Sequence, residues 1–150
     1  MQKLAGGASW EEVAEGFFHS TEFQKICARY EIFTTSAEAF VSRLYTVFLE
    51  RKADSTGLNS WSSLLHSRTI GGAEAAKGFF NSAEFMGRKI SDKEFISCCY
   101  RTLLNREADA QGLKDWMSVL NSGESRDTVL NGFIGSAEYE KLCSVYGISR

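Results

Sequence analysis

Apolar residues in this chain recur in steps of one, three and four, and they do so twice. Phe40, Val41, Leu44, Tyr45, Phe48 and Leu49 form one set; Phe95, Ile96, Cys99, Tyr100, Leu103 and Leu104 form the other. Such spacing lays a single apolar stripe along a helix. Before each stripe stands a hydroxyl residue with a carboxylate three positions on, Thr35 with Glu38 and Ser91 with Glu94, which is the capping-box signature of a helix start. A second, shorter helix is predicted to carry Leu58, Trp61, Leu64 and Leu65, matched by Leu113, Trp116, Val119 and Leu120. Asp54 and Asp109 stand where its N-cap or turn-opening residue belongs, and Gly57 and Gly112 then allow a bend or tight packing. A third helix should start near Ser9, Gly72 or Ser125 and end at a Gly-Phe pair. The glycine of that pair (Gly16, Gly78, Gly132) costs about 1 kcal/mol against alanine inside a helix. Its recurrence at one register predicts a close helix crossing. Ser20, Ser82 and Ser136 each open a Ser-x-Glu-aromatic run and should cap a short fourth helix.

These patterns are one stretch written more than once. Phe40, Tyr45, Arg51, Asp54, Gly57, Leu58 and Trp61 align with Phe95, Tyr100, Arg106, Asp109, Gly112, Leu113 and Trp116, 55 positions on. Residues 1–23 align without a gap onto 117–139, so the chain is expected to begin inside a repeat cut from a longer protein. The organisation read from this is the C-terminal half of a truncated repeat (1–32), a first full repeat (33–90) and a second (91–150). One extra residue in the first full repeat falls near 66–72, where a loop is expected. The fold class is therefore all-α: tandem units of about 55 residues with about four helices each, neighbours sharing a core because one unit alone buries limited apolar area.

Composition narrows the function classes more than it names one. Hydrophobic residues make up 43% and charged residues 24% of the chain, as in an ordinary packed domain. A formal net charge of -2 with no basic run argues against a nucleic-acid footprint. No apolar run approaches the roughly 18 residues that span a bilayer, and the first residues lack the apolar core of a signal peptide. Proline is absent and 13 glycines punctuate the chain, which favours helices joined by glycine-bearing turns. Among the four cysteines, Cys99 aligns with Leu44 and is expected in the core, and Cys98 aligns with Arg43 and is expected on the surface. Cys27 and Cys143 also sit in helical patterns without metal-ligand spacing, so a disulfide framework is possible but not indicated.

The run Phe-Val-x-x-Leu-Tyr-x-x-x-Leu-x-Arg-x-x-Asp-x-x-Gly-Leu-x-x-Trp, followed by Phe-x-x-Ser-x-Glu-Phe, resembles a bacterial family, domain of unknown function 4214. That family is similar to the helical linker domains of phycobilisomes. The resemblance covers nearly the whole chain, in two full copies and one partial one. It implies tandem copies within large secreted or surface-attached bacterial proteins, beside adhesin, calcium-binding or carbohydrate-related modules. One departure is visible: the family often has proline before the aspartate, where Ala53 and Ala108 stand here. This should loosen the turn without altering the fold.

Candidate site residues are the repeated letters themselves. Arg51 and Arg106 could clamp an anion, but an internal salt bridge or a cap on helix-end carbonyls is the preferred reading. Glu84 and Glu138 are the expected partners of these arginines. Asp54 to Asn59 superficially suggests a calcium loop. The second copy offers one carboxylate and a lysine, Lys114, there, whereas calcium takes six to eight oxygens. Trp61 and Trp116 could stack on sugars, yet their helical spacing with leucines favours the core. Trp10 aligns with Arg126 and is expected to be an exposed contact residue. His19 and His66 are not matched with any nucleophile by the repeat, and no phosphate loop, HExxH or CxxC occurs. The expectation is a non-enzyme without cofactor or metal. It would act as a spacer, scaffold or adhesive surface of a larger secreted or cell-surface protein, its partners being other domains of the parent chain or another protein. The alternative is a carbohydrate-binding module using exposed aromatics and an inter-repeat groove. A third reading is an intracellular, cytoplasmic scaffold.

Overall fold

The computed structural model describes residues 36–150, whose regular elements are all helical. In chain order they are α1 (Ser36–Arg43), which runs into a π-helical turn (Leu44–Phe48), then α2 (Ser55–His66), α3 (Gly72–Phe80) and α4 (Ala83–Met86). The second copy follows as α5 (Asp92–Leu104), α6 (Ala110–Asn121), α7 (Arg126–Ile134) and α8 (Ala137–Val145). Together these residues form one compact unit. Chain positions 1–35, with Trp10, Gly16, Cys27 and the Thr35 end of the first capping box, lie outside the described residues.

The caps follow from the sequence. Ser91 Oγ accepts from the Glu94 N–H at 3.3 Å, while the Glu94 carboxylate accepts from the Ser91 N–H at 2.8 Å, closing the box that starts α5. Ser82, Ser125 and Ser136 cap α4, α7 and α8 in the same manner. The first helix of each copy ends on a residue in the left-handed region, Glu50 at φ 54° and Asn105 at φ 55°. The following N–H then reaches back to a tyrosine carbonyl, Arg51 to Tyr45 at 3.2 Å and Arg106 to Tyr100 at 3.4 Å, which satisfies an otherwise orphaned helix-end acceptor. Among the described residues the π-helical turn occurs in the first copy alone. There Thr46 Oγ1 bonds back to the Ser42 carbonyl at 3.0 Å and competes with the backbone for it; the matching residue of the second copy is Arg101.

The core is continuous across both copies. At its centre Phe48 stacks on Phe80 with centroids 4.1 Å apart, and Phe80 meets Phe95 of the second copy edge-on at 5.8 Å. Helix α5 touches α6, α7, α8 and the π-helical turn, so it is the hub of the packing. A polar contact also joins the copies. Arg43 Nη2 donates to the carbonyls of Arg101 (2.7 Å) and Thr102 (2.9 Å) near the C-terminal end of α5, where a cation also meets the helix dipole.

Two expectations need correction. Leu64, expected on the apolar stripe of the second helix, is 38% exposed. The stripe that turns inward is Leu58, Trp61, Ser62 and Leu65, at steps of three and four, and Leu64 falls beside it. Cys98, expected on the surface, is half-buried and packs against the core. It does so because its face of α5 is turned towards the first copy, where Glu50 and Arg88 are its charged neighbours along with Arg101. Cys98, Cys99 and Cys143 are free thiols.

Candidate functional site

The repeated letters converge on one constellation per copy. In the first, Asp54 caps α2 by accepting from the Gly57 N–H at 2.8 Å. Gly57 has no side chain because the Tyr45 hydroxyl lies where a Cβ would be. Arg51, just past the end of the first helix, lays its guanidinium over the Tyr45 ring at 4.8 Å. Its fork is taken up by Glu84 on α4, Nε to Oε1 at 2.7 Å and Nη2 to Oε2 at 2.8 Å, a bidentate geometry. Trp61 on α2 sets its indole edge against the bare backbone of Gly78 on α3, and its ring lies 5.1 Å from Phe79. The predicted close crossing is therefore Trp on Gly.

The second copy repeats this almost atom for atom. Arg106 pairs with Glu138 at 2.6 and 3.2 Å, approaches Asp109 at 3.5 Å and lies 4.9 Å over Tyr100. Asp109 accepts from the Gly112 N–H at 2.8 Å; the Tyr100 hydroxyl fills the missing side-chain space at Gly112; Trp116 lies against Gly132 and stacks on Phe133 at 5.1 Å. The expected arginine–glutamate pairing is thus seen in both copies. The contact of tyrosine with glycine was not anticipated. Its signal in the sequence is the alignment of Tyr45 with Tyr100 and of Gly57 with Gly112, whereas helical periodicity alone assigns the tyrosines to an apolar stripe.

Electrostatics follow from these contacts. Glu84 and Glu138 are held below the ordinary carboxylate range by their hydrogen-bonded arginines. Asp54 and Asp109 are lowered first by the backbone N–H of Gly57 and Gly112. Arg51 and Arg106 are raised by the same glutamates, and burial pushes the Tyr45 and Tyr100 hydroxyls up. Every group is held in its resting charge state, which suits an ion-pair network better than a proton-transfer centre.

The chemistry open to this arrangement is limited. Residues 55–59 are helical, so the supposed calcium loop is the first turn of α2. Among the described residues no group of three or more His, Cys, Asp or Glu is placed to hold a metal ion, and no helix is long and apolar enough to cross a membrane. His66 Nε2 lies 3.2 Å from Glu38 Oε2, a half-exposed link between α2 and α1. The Cys99 thiol is pushed well up by burial. Beside Arg51, Glu84 and Trp61 there is a cleft of about 90 Å³.

Comparison with known proteins agrees with this picture of a repeated unit. No curated protein and no solved structure matches the chain. One family model does, twice, over residues 28–89 and 76–143. On these two overlapping matches the chain belongs to the family described as Domain of unknown function (DUF4214).

Proposed function

We propose that this chain is a non-catalytic structural and protein-interaction module, a spacer, scaffold or adhesive surface within a larger secreted or cell-surface bacterial protein. The observation that carries this reading is the mutual engagement of the motif residues. Each guanidinium fork is closed by a glutamate, each cap aspartate by its helix N–H, and each indole edge by a glycine, in both copies. Residues so engaged hold helices together and leave few polar groups to meet a substrate. The competing reading, carbohydrate binding through exposed aromatics and an inter-repeat groove, would use the cleft of about 340 Å³ between the copies, lined by Leu65, His66, Arg68 and Tyr146. The cleft beside Trp61, within one copy, is only about 90 Å³.

A glycan array probed with the full chain and with an Arg51→Ala/Arg106→Ala double variant separates the two. The structural reading expects a lower melting temperature for the variant and no saturable glycan signal for either protein. Saturable glycan binding that the variant loses at unchanged melting temperature would overturn it.

A further inference from the structure

Hydroxyl side chains inside the helices of this chain repeatedly fold back on their own backbone. Thr46 Oγ1 donates to the Ser42 carbonyl at 3.0 Å, Ser62 Oγ to the Leu58 carbonyl at 2.7 Å and Ser118 Oγ to the Lys114 carbonyl at 2.9 Å. Thr102, near the end of α5, departs from this habit. It is 1% exposed, and its hydroxyl has no hydrogen-bond partner among the described residues. Arg43 Nε is buried and unpartnered in the same way. Buried polar groups in folded proteins are paired, so each of these atoms calls for a partner.

Both atoms belong to one joint between the copies. Arg43 closes α1 and sends Nη2 to the Arg101 and Thr102 carbonyls at 2.7 and 2.9 Å, acceptors that a helix end leaves open. In a guanidinium plane the Nε–H and one Nη2 proton point in parallel from a single edge. With that edge Arg51 grips both oxygens of Glu84. Since Nη2 of Arg43 is on α5, its Nε–H is turned to the same helix. From the other side, Thr102 stands four residues after Cys98 and shares its face of α5. That face is turned towards the first copy, where Glu50 and Arg88 neighbour Cys98. An orphaned donor and an orphaned hydroxyl thus come together across the joint. The matching helix end of the first copy needs no such pair. There Arg88 donates through Nη1 and Nη2 to the Phe48 and Leu49 carbonyls, and the residue matching Thr102 is Val47, which has no polar side-chain atom.

We infer that one ordered water is built into the joint between the copies, accepting from Arg43 Nε–H and hydrogen-bonded to Thr102 Oγ1. Charge decides for water over an ion. An anion would meet the guanidinium, but it would also sit beside the Arg101 and Thr102 carbonyl oxygens, at the negative end of the α5 dipole. A cation would face the charge of Arg43 itself. Water accepts from the one group and donates to the other, and the carbonyls already meet the charge. Its effect is to make the Thr102 hydroxyl part of the link by which Arg43 ties the copies together. Neither residue belongs to the Arg–Glu–Trp constellations, so the outcome is independent of the function proposed above.

A high-resolution crystal structure of the full chain, with urea unfolding of Thr102→Val, tests this. A density peak is expected within about 3.2 Å of both Arg43 Nε and Thr102 Oγ1, and it should survive a bromide soak unchanged. The variant gives a second answer by its sign. A buried hydroxyl without a partner is better replaced by a methyl group, so Thr102→Val would then stabilise the chain. With the water in place the substitution strands it, and the unfolding constant should rise about fivefold. In an Arg43→Met background the same change should lose that cost. No peak between the two atoms, a peak that bromide replaces, or a Thr102→Val chain as stable as the unchanged one would each overturn the proposal.

Discussion

Replacing Gly132 with alanine sets two effects against each other, and the structure decides which wins. Alanine is the better helix former by about 1 kcal/mol, so propensity alone predicts a stabilised protein. Gly132 sits inside α7, however, and a Cβ built there would overlap the Cη2 edge of Trp116, with Cζ2 and Cζ3 at 3.2 Å. The indole has little room to retreat, because its plane is stacked on Phe133 at 5.1 Å and 28°. Overpacking of this kind costs about 1–3 kcal/mol, and a pinned ring against a rigid helix backbone belongs at the upper end. The net expectation is a loss of about 2 kcal/mol. For a unit of this size that is a fall in melting temperature of roughly 8 °C, read by circular dichroism. The same substitution in a Trp116→Ala background removes the obstacle, and there it should stabilise by about 1 kcal/mol. A neutral or stabilising Gly132→Ala in the otherwise unchanged chain, or the same sign in both backgrounds, would refute the close crossing as the reason for glycine.

Three further changes probe other contacts. Glu84, Glu138, Asp54, Asp109 and Glu94 all have lowered pKa values in the folded chain. The stability they add is present above their ordinary values of 3.8 and 4.5 and is lost as the pH falls through the lowered ones. A melting-temperature profile should drop on acidification below about pH 4.5, less steeply in Glu138→Gln. Glu50 holds a left-handed conformation at φ 54° where the second copy uses Asn105, so Glu50→Asn should stabilise by about 0.5–1 kcal/mol in urea unfolding. Arg43→Ala removes two charge-assisted bonds to the end of α5 and should cost about 2–3 kcal/mol by the same assay; a loss under about 0.5 kcal/mol would discount that link.

Much of each copy was legible because it is written twice. The caps at Asp54, Asp109, Ser91 and Ser136, the partners of Arg51 and Arg106, and the crossing at Gly78 and Gly132 all lie at positions where the copies agree. Agreement between copies reports contacts made inside each copy, since both must make them. Contacts between copies were not legible by that route. Arg43 reaches across to α5 where its counterpart is Cys98; Gly72 receives the Ser149 carbonyl where its counterpart is Arg126, stacked on Phe95. The reading of Cys98 as exposed failed for this reason. Alignment with an arginine suggested solvent, whereas that arginine is itself half-buried against the neighbouring copy.

The same distinction gives physical meaning to the overlap of the two family matches. Residues 76–89 belong to both. Within that segment the Phe79 ring faces Tyr45 and Trp61 of its own copy, while Phe80 and Phe85 lie against Phe48 on one side and Phe95 on the other. Arg88 donates to the carbonyls of Phe48 and Leu49 and so ties the segment back onto the end of the π-helical turn, which itself packs on α5. The segment is thus the end of one helical unit and the wall against which the next is built. A unit cut at residue 90 would leave α5 without Phe80 and Phe85, its apolar floor at Phe95. The physical joint between copies therefore lies within the sequence that both matches share.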